Sequence, residues 1–186
     1  VDRLDQGIGR VLAKLDALGI ADDTVIVFLS DNGGSPEEPG GRDPTAQPGL
    51  VSTYTSVGPA WASAQSTPFR RYKSWVDEGG ISTPFIVRWP ARVKAGSTSD
   101  QAVCLTDIMA TVAAITGADL PHNAAEDSFN MLPAWLREDK APIRPYLLQQ
   151  AFGGLRTLSI RRGEWKFLDH TGSGGNRYEN DPGLKP

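Results

Sequence analysis

Lys73 stands five residues ahead of Glu78-Gly79-Gly80, and Asp31-Asn32-Gly33-Gly34 ends an apolar, strand-like run upstream. A carboxylate beside an amide oxygen offers hard ligands of the kind Ca²⁺ and Mg²⁺ take. A lysine on a glycine-bounded loop offers a positive point charge to an anion. Together the two motifs point to a divalent metal and a sulfate or phosphate ester. Two ligands are too few for either ion, so the remainder of a metal site must come from elsewhere. No obvious nucleophile accompanies these residues, and the chain reads as the back half of an enzyme.

Each motif also has a plainer reading. Asp, Asn and Gly are the residues turns favour, and most lysines are solvated surface charges. Position argues for a site, because ligands of open α/β sheets gather beyond the carboxyl ends of strands. Glu78 reads as a structural acceptor for backbone donors rather than as a catalytic group. Cys104 reads as a buried, inert thiol, since nothing in Cys104-Leu105-Thr106-Asp107-Ile108 would activate it. His122, in a Pro/Asn turn, and His170, at the end of a strand-like run, form no zinc spacing and read as surface or structural residues. Tyr54, Trp61 and Trp75 are of the type that stacks on a sugar or aryl ring; Trp75 reads rather as local core.

The elements that must hold these groups are legible in the periodicity. Val1, Leu4, Ile8, Val11, Leu12, Leu15 and Leu18 share a helical face, and Gly19 follows as a C′ residue. Thr24–Leu29 is apolar on both faces and too short for a helix, which predicts a central strand of a covered parallel sheet. Gly, Pro, Ser and Thr dominate 33–71, a length of loop that is uncommon unless it is functional or disordered. Phe85–Trp89 predicts a second strand, stopped by Pro90. Thr106 predicts an N-cap for a helix through Ile108, Met109, Val112 and Ile115, ended by Gly117. Beyond Pro121 the pattern changes to strands at 146–150, 155–161 and 165–168, with a turn at Arg162-Gly163-Glu164. That is an antiparallel meander, and a polar, Gly-rich loop follows from Thr171.

At 186 residues the length suits one domain, or one with a small appendage. The hydrophobic share of 39% supports a core, and the charged share of 22% is ordinary for a globular protein. A net charge of −3 with no basic block leaves no electrostatic footprint for nucleic acid. No apolar stretch approaches the length of a bilayer span. The chain opens on Val1 inside a helical pattern and stops at Gly183-Leu184-Lys185-Pro186, so both ends look cut. Cys104 is the sole cysteine and forms no internal disulfide.

These motifs, in this order, resemble the sulfatase family of the alkaline-phosphatase-like superfamily. Phe28-Leu29-Ser30-Asp31-Asn32-Gly33 resembles the family's second metal motif, and Lys73 through Glu78-Gly79-Gly80 with Pro84 resembles its sulfate-contacting lysine segment. Arg88-Trp89-Pro90, Thr106-Asp107-Ile108 and Asp127-Ser128-Phe129 with Leu132-Pro133 also fit. The resemblance implies a partial α/β sandwich with a mostly parallel sheet over 1–141, then part of a small antiparallel subdomain over 142–186. It implies calcium-dependent hydrolysis of sulfate esters, on a sulfated small molecule or carbohydrate, with calcium rather than magnesium and a periplasmic or secreted setting. Asp31 and Asn32 would be metal ligands; Lys73 would contact the sulfate and assist the leaving oxygen. Family members carry a formylglycine, made from Cys or Ser in a C/S-x-P/A-x-R motif, in the half that is missing here, along with the first acidic metal pair and the upstream Lys and His. Ser66-Thr67-Pro68-Phe69-Arg70 fits that pattern but lies downstream of the Asp-Asn turn, and is set aside as nucleophile. Two other readings remain: a phosphate or phosphonate ester hydrolase of the same superfamily, and a non-catalytic fragment that binds an anion or calcium. The 186-residue chain alone is expected to be inactive and to expose apolar strand faces or edges. A clean monomeric melt of the bare chain would count against that expectation.

Overall fold

The computed structural model describes residues 2–37, 45, 56–151 and 157–169. Their elements, in chain order, are α1 (Asp2–Ala17), β1 (Ile26–Leu29), α2 (Gly58–Gln65), α3 (Glu78–Ile81), β2 (Phe85–Arg88), α4 (Asp107–Thr116), α5 (Leu132–Leu136), β3 (Leu147–Gln150), β4 (Leu158–Arg162) and β5 (Trp165–Leu168). The chain is a mixed α/β structure that divides into two units, each discontinuous in sequence. One is Val1–Leu29 with Phe85–Pro145; the other is Ser30–Pro84 with Tyr146–Pro186. Tyr54, His170, the start of the predicted strand at 155–156 and the tail from Thr171 lie outside the described residues.

In the first unit α1 ends as its sequence predicts. Gly19 takes a left-handed φ of 67°. Its N–H reaches the Asp16 carbonyl at 3.0 Å, and the Ile20 N–H reaches Leu15 at 3.2 Å, the paired bonds of a Schellman cap. Asp2 and Asp5 in the first turn and Lys14 in the last complement the helix dipole. The apolar stripe is only partly covered by the described residues: Ile8, Leu12 and Leu15 are half-buried, and Leu4, Val11 and Leu18 are exposed.

β1 and β2 pair antiparallel, Phe28 opposite Ile86 and Leu29 opposite Phe85. Parallel pairing, expected around this strand, is absent among the described residues. An apolar run reports what its two faces meet; it carries no information on the direction of the neighbouring strand. Phe28 and Ile86, side by side on one face, are exposed.

α4 follows its predicted span and stops at Gly117, φ 68°, with the Ala118 N–H bonded to Ala113 at 3.0 Å. Its start differs from expectation. Thr106 is already helical and makes no side-chain cap bond. Asp107 instead ties neighbouring segments to the helix start: one carboxylate oxygen accepts the Cys104 N–H at 2.7 Å, the other the Phe129 N–H at 2.9 Å. The Arg144 guanidinium pairs with the same carboxylate, and both side chains are buried. Thr111 bridges onward, donating to the Asp107 carbonyl at 2.7 Å and accepting the Met131 N–H at 2.9 Å. The Ser128 hydroxyl accepts the Ala110 N–H at 2.9 Å, a further tie between the segment at 127–129 and the first turn of α4. Met131, Ala134 and Trp135 form the core beside this network, with Trp135 tilted against Phe85 at 6.1 Å between ring centroids. Cys104 is half-buried, not fully buried, and His122 is exposed.

In the second unit β3, β4 and β5 form the predicted antiparallel meander, in that order. The register sets Leu147 opposite Arg161 and Arg161 opposite Lys166 on one face; Leu148, Ile160 and Phe167 line up on the other. The apolar row is the exposed one. The row of Leu147, Arg161 and Lys166 is turned inward, and Ser159 on that face is fully buried.

Asp107→Ala in the whole protein should destabilise it by about 3–5 kcal/mol, because Arg144 would be left as an uncompensated buried charge. Urea denaturation measures this, and a loss under about 1 kcal/mol would mean the pair does not organise α4.

Candidate functional site

The Asp-Asn-Gly-Gly turn and the Lys73 segment, distant in sequence, lie backbone against backbone in the second unit. The Gly33 N–H donates to the Gly80 carbonyl at 3.0 Å, and the Lys73 N–H donates to the Gly34 carbonyl at 3.0 Å. A Cβ at Gly33 would overlap the Gly79 carbonyl oxygen, and a Cβ at Gly79 would overlap the Arg71 carbonyl oxygen. Glycine is required at both places for lack of space rather than for its dihedral freedom. The turn is braced further: Ser30 donates its N–H to Pro84 at 3.2 Å, and Thr83 Oγ1 donates to the Ser30 carbonyl at 2.7 Å.

The lysine segment is a closed loop. The Gly79 N–H returns to the Arg70 carbonyl at 2.8 Å, and the Trp75 N–H bonds Tyr72 at 3.2 Å. Trp75 and Val76 are buried beneath it, so Trp75 is core as its sequence suggests. The Arg71 guanidinium lies 4.3 Å from the Trp75 ring centroid, a cation–π contact. Arg71 and Ser74, on either side of Lys73, both hold positive φ (69° and 79°). Non-glycine residues adopt that conformation at a cost that the surrounding structure must offset.

The Lys73 ammonium is 2.6 Å from the Glu37 carboxylate, and both side chains are about a third exposed (35% and 33%). That ammonium, and next the Ser35 hydroxyl, hold the Glu37 carboxyl below the usual carboxylate range, against the opposing effect of its partial burial. Asp31 is exposed at the rim of the turn and Asn32 is half-buried. The Asn32 amide nitrogen donates to the Gly33 carbonyl at 3.0 Å, which leaves the amide oxygen as the end able to ligate. A cleft of about 680 Å³ opens beside them, lined by Ser30, Asn32, Gly34, Ser66, Phe69 and Thr83 among others. No cluster of three or more His, Cys, Asp or Glu suited to a metal occurs among the described residues. Asp31 and Asn32 thus fit a hard cation in donor type, and their number leaves most of its shell to other ligands.

Ser66 is occupied structurally, its hydroxyl accepting the Gly34 N–H at 3.2 Å. Trp61 on α2 is exposed. Glu78 is an acceptor, as expected, but of side-chain rather than backbone donors. Its Oε1 receives the Lys166 ammonium at 2.8 Å and lies 3.4 Å from the Arg161 guanidinium. Glu37, Arg161 and Lys166 escape sequence reasoning. No motif marks Glu37 in Ser35-Pro36-Glu37, whereas strand parity does place Arg161 and Lys166 on one face.

The family model described as Sulfatase matches residues 1–118. N-acetylgalactosamine-6-O-sulfatase of Bacteroides thetaiotaomicron is 34% identical over 168 residues, 90% of this chain and 30% of that protein. Steryl-sulfatase of Mus musculus is 35% identical over 133 residues, 72% of this chain and 19% of that protein. A solved structure from the work on glycosaminoglycan metabolism by Bacteroides thetaiotaomicron superposes with a TM-score of 0.68 at 32% identity, covering 90% of this chain and 32% of that one. A second, solved with its substrate D-glucosamine-2-N,6-O-disulfate, gives 0.62 at 22% identity over 88% of this chain and 28% of that one, a likeness of fold. The chain belongs to the sulfatase family. It spans less than a third of the length of the curated relatives it matches.

Gly79→Ala forces backbone apart from backbone and should cost about 1–3 kcal/mol in a melt of the whole protein, the usual range for overpacking. Glu37→Gln provides a test of the ion pair. Because the folded carboxyl titrates below its ordinary 4.5, the pair stabilises the fold above that pH and the contribution is lost as pH falls through the folded value. The stability difference between the native protein and the Glu37→Gln variant should be constant above about pH 6 and shrink toward acid, and be smaller at high salt. A difference independent of pH would refute the pairing.

Proposed function

We propose that the protein carrying this chain hydrolyses sulfate esters, with sulfated carbohydrates as the substrate class. The observation that carries the reading is the Lys73–Gly34 backbone bond, which fastens a lysine segment to an Asp-Asn turn in a chain of the sulfatase family. The relative that matches 90% of this chain is a sulfatase named for an N-acetylgalactosamine 6-sulfate ester, which favours a carbohydrate. Hydroxyl and amide groups of Ser30, Asn32, Ser66 and Thr83 line the adjacent cleft, chemistry suited to a sugar.

In this reading Asp31 and Asn32 contribute oxygen ligands to a calcium ion, whose charge would stabilise the sulfuryl oxygens. Lys73 exchanges its Glu37 partner for the sulfate group and lies ready to neutralise, or protonate, the departing alcohol oxygen. The backbone that carries it is tied to the turn through the Lys73 N–H on Gly34. A formylglycine, supplied by another part of the protein, would provide the nucleophile. In the whole protein β1 and β2 belong to a larger, mostly parallel sheet, with an antiparallel subdomain beginning near residue 142. Hydrolysis of phosphate or phosphonate esters uses the same groups; family membership favours sulfate.

Lys73→Ala should lower turnover of the whole enzyme on the order of a hundredfold, the scale for removing one charge-stabilising donor. A loss under threefold excludes the role. Asp31→Ala should weaken calcium binding in titration calorimetry and reduce calcium's effect on the melt. Parallel assays with aryl sulfate and aryl phosphate settle the ester, and faster phosphate turnover would overturn the choice of sulfate. Intact mass and peptide mapping of the natural protein should find a formylglycine peptide outside this chain.

A further inference from the structure

The loop that carries Lys73 is held on one side by the Asp-Asn-Gly-Gly turn. On its other side it is held by the distant β-meander, and the contacts there are of an unusual kind. The Lys166 ammonium donates to two points of the loop, the Val76 carbonyl and Glu78 Oε1, the latter at 2.8 Å. Arg161, its cross-strand neighbour, approaches the same carboxylate oxygen at 3.4 Å. Lys166 is only 15% exposed and Glu78 28%. A three-stranded sheet would ordinarily turn its apolar face inward, yet here Leu148, Ile160 and Phe167 face out and the cationic row faces the loop.

Burying ammonium and guanidinium groups is expensive, and apolar residues of equal size would pack at least as stably. What an ion pair supplies instead is direction: it holds one carboxylate and one carbonyl at set places. Those places, Val76 and Glu78, follow closely on Lys73 inside a loop already closed by the Gly79–Arg70 bond. With the Lys73 N–H fixed to Gly34 on the other side, the ammonium has little freedom except in its own side chain.

We propose that Lys166, assisted by Arg161, is a positioning residue for Lys73, acting through Glu78 and the Val76 carbonyl, so that the meander forms part of the anion site. The proposal rests on the reading of Lys73 as the sulfate-contacting group. In the whole enzyme, Lys166→Met should lower kcat on 4-nitrophenyl sulfate at least tenfold with KM changed less than threefold, and Lys166→Arg should recover most of it. In a Lys73→Ala background the same Lys166→Met change should cost less than twofold, because its route to the chemistry is gone. An unchanged kcat, or an equal loss in both backgrounds, would overturn the proposal. Glu78→Gln, which keeps shape and an acceptor oxygen, should reproduce the kcat effect if Lys166→Met does not fold; native activity in Glu78→Gln would equally refute it. Trypsin cleavage after Arg70, Arg71 or Lys73 gives a readout independent of turnover. The clasp requires it to accelerate at least tenfold in Lys166→Met or Glu78→Gln, and equal rates refute the clasp. Should the native enzyme cleave no sulfate ester, the functional reading falls, while the trypsin rates still decide the clasp.

Discussion

The second unit depends on one close approach, that of the Gly33-Gly34 backbone to Gly79-Gly80. Everything chemical in the unit is referred to that contact. It places the Lys73 N–H on Gly34, returns Gly79 to Arg70, and leaves Arg71 and Ser74 in left-handed conformations around the lysine. These glycines lose more entropy on folding than other residues would. What offsets that loss is a set of backbone bonds too close-packed for any side chain to intervene. Built this way, the main chain of the turn and of the lysine loop is tied by backbone bonds on both sides.

Charge in this protein is used for orientation more than for stability. Asp107 with Arg144 in the first unit and Glu78 with Lys166 in the second are each carboxylates that gather donors from distant segments. Neither pair is placed where an isolated surface bridge would form, and each fixes a segment whose conformation propensity leaves open. Lys73 with Glu37 is different. Both partners are partly exposed, so solvent screens their attraction more than it does in the other two pairs. The apolar faces of the meander, of α1 and of the β1–β2 pair, meanwhile, are presented outward. Such faces are what one layer offers to another.

Several features were legible because they are local. The apolar stripe and Gly19 define α1 and its cap; Gly117 ends α4; the alternation around Arg162-Gly163-Glu164 makes the β4–β5 hairpin. What was not legible concerns relations between segments. The apolar character of Thr24–Leu29 is compatible with either strand direction, so the antiparallel partner of β1 was not readable. Thr106 is of a capping residue type and stands where a cap would, but Asp107 sits where the Cys104 and Phe129 donors converge.

The sequence by itself carried the family, the glycine ends of α1 and α4 and the hairpin, because short-range spacing encodes all of these. Only the tertiary structure decided that the two glycine motifs touch, that Glu37 holds the Lys73 ammonium, and that Glu78 receives Lys166 across 88 residues of chain. Strand parity places Arg161 and Lys166 on a common face but cannot say which face is inward. That choice is made by the carboxylate waiting there, since a buried cation is stable only where its counter-charge has already been positioned.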